Sequence, residues 1–413
     1  MDFPDPDSLA MLLVQQFLSE QGYSPALREV ERQYGLKYVP EKLPKGSMLL
    51  ELVYQHMEQA AAEAAADESD ARLAAEAEEE ALLKGGSPNF AMEHVACVQN
   101  LHSANIISIC CWPGSPRFIS GSGNGHVQLI TFDGDLLWTQ QLTGGGILSL
   151  ALHLDERDGR SYLLAGSMDG TVTVLDAQEG TVLASSKAHT KYCVRIIWAP
   201  SATTFVSASW DQSLVVHRWI PQSQSNEAMI EELHREKYAT AVSDAALLAD
   251  QATLVVSLRN TNFLRLFSLE SHKELRKVNM NARGDNHVSF TASHLDLSPC
   301  GMFMLVSTDG ARIIMFRVAD WQQPRNFFGL QVENFHQPVT TWHPSGFYFF
   351  AAAAHGQVYV FHVGSAKVVA TMKAHDKNVR SLDYDKQQSC LVTGSFDRNV
   401  QIYRDATPTE GSS

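Results

Sequence analysis

A repeated unit of roughly 40 residues, a period typical of propeller blades, occurs seven times between His102 and Tyr403. Each unit runs from a polar loop through an apolar strand to a strand of small residues, a tight turn and another apolar strand. The alternating apolar residues predict four short strands per unit, stacked radially around one axis. We therefore expect an all-β seven-bladed propeller over residues 90–405.

The two ends of the repeat region predict how the ring closes. One apolar segment, residues 95–101, precedes the first unit, and the seventh unit lacks its outermost strand. Pairing the two ends of the chain in one blade would leave no open sheet edge. We expect residues 95–101 to supply the outer strand of the seventh blade, and residues 406–413 to form a disordered tail.

The region before the repeats has a helical pattern instead. Apolar residues at helical spacing predict a first helix over residues 8–20. A second helix is predicted to follow, with Ser24 as its N-cap, Pro25 in its first turn and Gly35 at its end. Two such short helices bury too little apolar surface alone, so the module over residues 1–46 needs a further covering surface.

Negative charge is concentrated in the same region. Residues 1–94 hold 18 acidic and 7 basic residues out of totals of 46 and 32, so the remaining residues are nearly neutral. Residues 47–66 are predicted to form a third, short helix, whose heptad spacing permits a weak coiled coil. Residues 67–89 are predicted to be an acidic, partly helical spacer. A near-neutral propeller lacks the basic stripe that nucleic-acid binding requires, so no nucleic-acid partner is expected.

Composition narrows the class further. The six cysteines are scattered without a CxxC pair, which favours a reducing compartment and argues against a disulfide framework or a structural zinc site. No apolar run approaches the ~18 residues of a membrane span, and the acidic N-terminus is unlike a signal peptide. We expect a protein without membrane insertion, cofactor or metal, in the cytoplasm, the nucleus or both.

The repeats resemble the WD-repeat β-propeller family over about three quarters of the chain. In the two clearest units, a histidine precedes an aspartate by 22 residues: His189 with Asp211, and His375 with Asp397. The resemblance implies that each pair belongs to a structural relay with a hydroxyl from Ser207 or Ser209 in one unit and Thr393 or Ser395 in the other. Since the pair recurs, it is interpreted as blade structure and not as a catalytic set.

The N-terminal helices resemble the LisH motif, which dimerises by packing its helices against a second copy. The resemblance implies a homodimer, and the order of LisH motif, short helix and propeller is similar to that of the lissencephaly and transducin-beta-like families. The predicted dimerisation residues are the apolar positions of the three helices: Leu13, Phe17, Leu27, Val30, Leu50 and Val53.

One propeller face is predicted to bind a protein or peptide. In the WD-repeat family, the residue just before the turn aspartate lies on the top face near the central channel, and large side chains occupy it in units two, three and seven. Aromatic, Met and Arg side chains are typical of interface hot spots. The predicted binding residues are Met168, Tyr192, Trp210, Asn378, Arg380 and Phe396.

These observations favour a non-catalytic, dimeric adaptor with no catalytic residues. One alternative is a substrate receptor of a ubiquitin ligase, although only residues 396–398 (Phe-Asp-Arg) faintly resemble the Trp-Asp-x-Arg docking box. Another is an enzyme or small-molecule receptor that uses the central channel. It would need ionisable residues clustered at the mouth of the channel, and none is evident from the sequence.

Overall fold

The computed structural model describes residues 6–35, 37–40, 49, 52–53, 56, 76–87, 89–99, 101–154, 159–201, 203–221, 228–288, 290–332 and 338–406. It contains two compact units, residues 1–79 and 80–413. The predicted tail from residue 407 and most of the predicted coiled coil, including Leu50, lie outside the described residues.

The first unit contains helices α1 (Pro6–Glu20) and α2 (Ser24–Tyr34), which pack against each other. Gly35 ends α2 in a left-handed conformation, and its N–H donates to the Glu31 carbonyl at 3.0 Å. The prediction that Ser24 caps α2 is wrong. The Tyr23 carbonyl accepts the Leu27 N–H at 3.0 Å, so the cap position is Tyr23 and no side chain caps the helix.

The second unit is a seven-bladed propeller, and the predicted fold is confirmed. Blades one to six follow chain order and each pairs four antiparallel strands. Their strands are β2 (Ile106–Cys111), β3 (Arg117–Ser122), β4 (His126–Thr131) and β5 (Leu136–Gln141); β6 (Ile147–Leu154), β7 (Ser161–Ser167), β8 (Val172–Asp176) and β9 (Val182–Ser186); β10 (Cys193–Trp198), β11 (Thr204–Ser209), β12 (Ser213–Ile220) and β13 (Met229–Lys237); β14 (Val242–Leu247), β15 (Thr253–Leu258), β16 (Phe263–Ser268) and β17 (Lys273–Asn279); β18 (Ala292–Leu297), β19 (Phe303–Thr308), β20 (Arg312–Arg317) and β21 (Arg325–Phe328); β22 (Thr340–Trp342), β23 (Tyr348–Ala352), β24 (Gln357–His362) and β25 (Lys367–Lys373).

Blade seven joins the two ends of the propeller. It consists of β26 (Val379–Asp385), β27 (Cys390–Ser395), β28 (Val400–Asp405) and, as its outer strand, β1 (Met92–Val98). The register runs from Met92 opposite Asp405 to Val98 opposite Val400. Closure therefore uses the segment before the first repeat, with the strand beginning three residues earlier than the sequence pattern indicates.

The core lies between the blades. Seven hydrophobic clusters each join one pair of neighbouring blades. The second strands, such as β7 and β23, are buried along their whole length because both of their faces contact a neighbouring blade. This packing explains why these strands read as continuous runs of small and apolar residues.

A segment that precedes β1 crosses the face formed by the turns between first and second strands, here called the bottom face. We call the described residues 82–87, 89 and 90 the strap; its first three residues are also the last three of the helical residues 76–84 (α3). Leu82 is buried in the cluster between blades five and six, and Phe90 packs on the Tyr348 ring at 4.6 Å. Alternate strap carbonyls accept hydrogen bonds from side chains of these blades: Leu83 from Arg325 at 3.2 Å, Gly85 from His362 at 2.9 Å, and Ser87 from Tyr348. Of the predicted spacer over residues 67–89, the described residues 76–87 and 89 thus form α3 and part of the strap, and residues 67–75 and 88 lie outside the described residues.

Candidate functional site

The first strands of all seven blades enclose a central channel with a cavity of about 780 Å³. In every blade except the sixth, the register of the first strand shifts by one residue near its start, as at Cys193/Arg195 and Val379/Ser381. Such bulges redirect side chains locally. The residue within each shift lines the cavity, and Arg380 is the charged one among them.

The residue after each bulge, together with Thr340 in blade six, contributes to what we call the polar ring: Ser108, Ser149, Arg195, Asp244, His294, Thr340 and Ser381. Ring side chains connect neighbouring first strands. Ser381 accepts the Ile109 N–H at 2.9 Å across blades seven and one, and Ser149 accepts the Ile196 N–H at 3.1 Å across blades two and three. The ring therefore links blades that are far apart in sequence.

Three ionisable members of the polar ring, Arg195, Asp244 and His294, meet between blades three, four and five. The Arg195 guanidinium donates two hydrogen bonds to the Asp244 carboxylate, one of 2.7 Å from Nη2 to Oδ2. His294 Nδ1 lies 2.9 Å from Asp244 Oδ2, and Nε2 donates to the Thr340 carbonyl at 3.1 Å. Burial alone would raise the pKa of Asp244, but Arg195 and His294 outweigh it and hold that pKa below its usual range.

Two further carboxylates lie deeper in the channel. Asp296 and Asp383 occupy equivalent places, two residues beyond the polar ring along their strands. Burial raises the pKa of both carboxyl groups, that of Asp296 well above the usual range. Asp383 accepts the Cys111 N–H at 2.6 Å. Burial also raises the pKa of the neighbouring Cys110 to about 12, so this thiol is not activated as a nucleophile.

The top opening of the channel holds large side chains that we call the mouth cluster: Met168, Tyr192, Trp210 and Arg259. The Tyr192 and Trp210 rings lie 5.4 Å apart, and the Arg259 guanidinium lies 4.9 Å from the centre of the Trp210 ring. Met168 and Tyr192 are 37% and 40% exposed. Exposed aromatic, Met and Arg side chains around a cavity are typical of protein-binding surfaces.

The structure brings together four of the six predicted binding residues. Met168, Tyr192, Trp210 and Arg380 line the one cavity, with Arg380 at its bulge below the mouth. Phe396 and Asn378 belong to the corresponding turn and loop of blade seven, where Phe396 N donates to Asn378 O at 3.2 Å, but neither lines the cavity. The expected single patch is thus centred on blades two to four.

Sequence reasoning missed Arg259. It follows β15 directly, as Trp210 follows β11, and its N–H bonds the Ala241 carbonyl just as that of Trp210 bonds Tyr192. The missing turn aspartate in blade four concealed this equivalence. A comparison of equivalent positions across all repeats would have found Arg259. Nor was the Arg195–Asp244–His294 group evident from the sequence, since its three members come from three different repeats.

The relay residues form local bridges within blades three and seven. His189 Nδ1 lies 3.2 Å from Asp211, and His375 Nδ1 lies 3.0 Å from Asp397. Their Nε2 atoms lie 2.7 Å from Ser207 Oγ and 2.8 Å from Thr393 Oγ1, so these hydroxyls, not those of Ser209 and Ser395, complete the relays. Both histidines are buried, as expected for groups that tie the loop before a first strand to the turn after the second.

In the part of the chain that the structure describes, no group of three or more His, Cys, Asp or Glu residues has a metal-binding arrangement. The six cysteines are free thiols. Within the same residues, no helix has the length and hydrophobicity needed to cross a membrane.

Comparison with known proteins matches the two blades with intact relays. The family model "WD domain, G-beta repeat" matches residues 180–218 and 366–404. A Caenorhabditis elegans protein, "DDB1- and CUL4-associated factor 11 homolog", is 36% identical over 64 residues, which is 16% of this chain. The chain spans 11% of that relative's length. Together with the blade topology, these matches show that the chain is a seven-bladed β-propeller with WD40 repeats.

Proposed function

We propose that the protein is a non-catalytic interaction scaffold whose propeller binds a protein or peptide at the top of its central channel. The observation that carries this proposal is the mouth cluster, where exposed Met168 and Tyr192 and the stacked Trp210 and Arg259 surround one cavity. WD40 propellers generally serve as protein-interaction scaffolds, which supports the same reading. A catalytic role has less support because the channel's Arg195–Asp244–His294 group is satisfied internally.

Quantitative affinity purification of the tagged full-length chain tests the proposal. Burying a Trp or Phe in a partner contributes about 2 kcal/mol or more, so Trp210→Ala/Phe396→Ala should reduce partner recovery at least tenfold. Trp210→Ala alone should account for most of that loss, because Phe396 lies outside the cavity. Phe328→Ala is a matched control, since Phe328 is 61% exposed on the outer strand of blade five. Normal recovery by a folded double variant would move the site to another face.

The N-terminal helices support a second part of the proposal, self-association through a LisH-like module. Leu13 is buried within the described residues, whereas Phe17, Leu27 and Val30 are only half-buried and α2 has no buried residue. Val53 is 46% exposed. An α2 helix whose apolar side chains remain partly in water would be covered by the same surface of a second copy.

A second candidate function is that of a substrate receptor in a ubiquitin ligase, which the relative named for association with DDB1 and CUL4 favours. Asp397 is used in the relay, but Arg398 beside it is exposed and could contact an adaptor. Co-purification of DDB1 with the full-length chain, lost in Arg398→Ala, is the expected result of this function. Absence of DDB1 from the partners of the unaltered chain would reject it.

A further inference from the structure

Charge is layered along the channel. Arg259 lies at the mouth and Arg380 at the bulge level, whereas the carboxylates that line the cavity, Asp244, Asp296 and Asp383, all lie at or below the polar ring. Since a strand rises about 3.3 Å per residue, the two deepest carboxylates are about 10 Å below the level of Arg380. A ligand that enters from the top therefore meets positive charge before negative charge.

Arg259 is held in place without a carboxylate. Its guanidinium lies 4.9 Å from the centre of the Trp210 ring, and no carboxylate among the described residues forms an ion pair with it. By contrast, Lys187 on the same face of blade two is paired with the turn residue Asp169 at 2.5 Å. Stacking on an aromatic ring orients a guanidinium while leaving its N–H donors available.

The irregular turn of blade four explains this exception. The turn between β15 and β16 is one residue longer than that between β11 and β12, and it carries Asn260 and Thr261 where blade three has Asp211. The loss of the aspartate removes the relay from this blade. The turn next to Arg259 therefore carries no carboxylate.

We propose that the channel mouth recognises an anionic side chain, a carboxylate or a phosphoryl group, on a peptide whose neighbouring residue is apolar. Arg259 would bind the anion through two parallel N–H donors, a geometry that suits both groups. The apolar neighbour would pack on Met168 and Tyr192, which are exposed beside it. This inference rests on the proposed top-face function and adds the chemistry of the partner.

A peptide fits these features better than a free anion. A cavity of about 780 Å³ is large enough for several side chains. A small inorganic anion would use the guanidinium alone and leave the aromatic and Met surface of the mouth cluster in water. A peptide covers both, and removal of that apolar surface from water adds to the ion pair.

Selection of peptides on the full-length chain tests the proposal. A random 12-residue phage library is selected against the unaltered chain and against Arg259→Gln. Peptides enriched on the unaltered chain should carry Asp or Glu beside an apolar residue, and Arg259→Gln should lose that preference.

One enriched peptide is then synthesised with Glu, Gln or phosphoserine at the selected position. Replacing Glu by Gln should weaken binding about tenfold to the unaltered chain and less than twofold to Arg259→Gln, a coupling that isolates this pair. Tighter binding of phosphoserine than of Glu would assign the phosphoryl source.

Two variants serve as controls. Arg312→Gln removes the same charge from another stacked guanidinium, 4.5 Å from the Phe290 ring but outside the channel, and should keep the Glu preference. Arg259→Lys keeps the positive charge and should retain part of the Glu preference. That result would show that the loss of the preference in Arg259→Gln comes from the lost charge and not from misfolding. Enrichment of basic or uncharged peptides, or an unchanged Glu-to-Gln ratio in Arg259→Gln, would overturn the inference. If Trp210→Ala still abolishes capture in that case, only the partner's chemistry is wrong; if Trp210→Ala also keeps every partner, the proposed function fails as well.

Discussion

Replacing Asp244 by Ala should destabilise the propeller more than any surface substitution. Asp244 connects three blades: it binds Arg195 from blade three, lies 2.9 Å from His294 of blade five, and accepts the Leu295 N–H at 2.9 Å. Without it, the Arg195 guanidinium would remain in the channel with its main counter-charge removed. The Leu295 N–H would lose its acceptor.

The magnitude follows from those contacts. Removing one partner of a buried ion pair costs about 3–5 kcal/mol, chiefly because the other charge is left unpaired. At an m-value of about 3 kcal/mol per M for urea, the unfolding midpoint should fall by about 1 to 1.7 M. In the double variant Arg195→Met/Asp244→Leu, both charges of this pair are removed together, and most of the loss should be recovered.

Urea unfolding followed by tryptophan fluorescence measures this directly, because all seven tryptophans lie in the propeller. Asp320→Ala is the matched control, since its ion pair with Arg317 is exposed and worth less than about 1 kcal/mol. A midpoint for Asp244→Ala within about 0.3 M of the unaltered chain would refute the reasoning. A double variant as unstable as Asp244→Ala would show that the cost does not come from the unpaired guanidinium.

Three further predictions concern closure, acid stability and assembly. A chain that begins at residue 80 should have the highest melting temperature. A chain that begins at residue 91 should melt at a lower temperature because the buried Leu82 is lost, and a chain that begins at residue 103 should melt at the lowest because β1 is lost. Equal melting temperatures would contradict this order. Although burial opposes it, hydrogen bonds from His375 and from backbone N–H groups hold the pKa of Asp397 below its usual value. The stabilising effect of the Asp397 carboxylate should therefore be complete above about pH 4 and decline as the pH falls further. Between pH 5 and pH 3, the urea unfolding midpoint should fall less for Asp397→Asn than for the unaltered chain. Parallel plots of midpoint against pH would contradict this prediction. Light scattering at tens of micromolar should give twice the monomer mass for the full chain and a monomer for residues 80–413, and a monomeric full chain would exclude the dimer.

Features that depend on one repeat were predictable from the sequence, and features that depend on several repeats were not. Spacing within a unit was enough to pair His189 with Asp211, because both belong to one blade. Arg195, Asp244 and His294 belong to three successive blades, and each appears in its own strand as an isolated polar residue. Only closure of the ring brings equivalent positions to one level of the channel.

The strap shows a different limit. Residues 85–88, Gly-Gly-Ser-Pro, have the composition of a linker, and composition predicts a segment without fixed contacts. Its carbonyls are bound by side chains from blades five and six, more than 240 positions later in the chain, such as Arg325 for Leu83. Every residue has a backbone carbonyl, so the sequence does not show which carbonyls accept hydrogen bonds from distant side chains. Docking of this kind therefore cannot be inferred from residue types alone.

The pairing of β1 with β28 also has a consequence for biosynthesis. His94 and its hydrogen-bond partner Gln401 are 307 residues apart. At a synthesis rate of about 5–20 residues per second, the first strand waits roughly 15–60 s for its partner to leave the ribosome. Throughout that interval β1 presents an unpaired edge, which is the kind of surface that chaperones bind and that other nascent chains can join. β28 is thus the last strand of the propeller to be made, and its pairing with β1 removes the exposed edge that promotes aggregation. A chain released before residue 400 would keep that edge exposed.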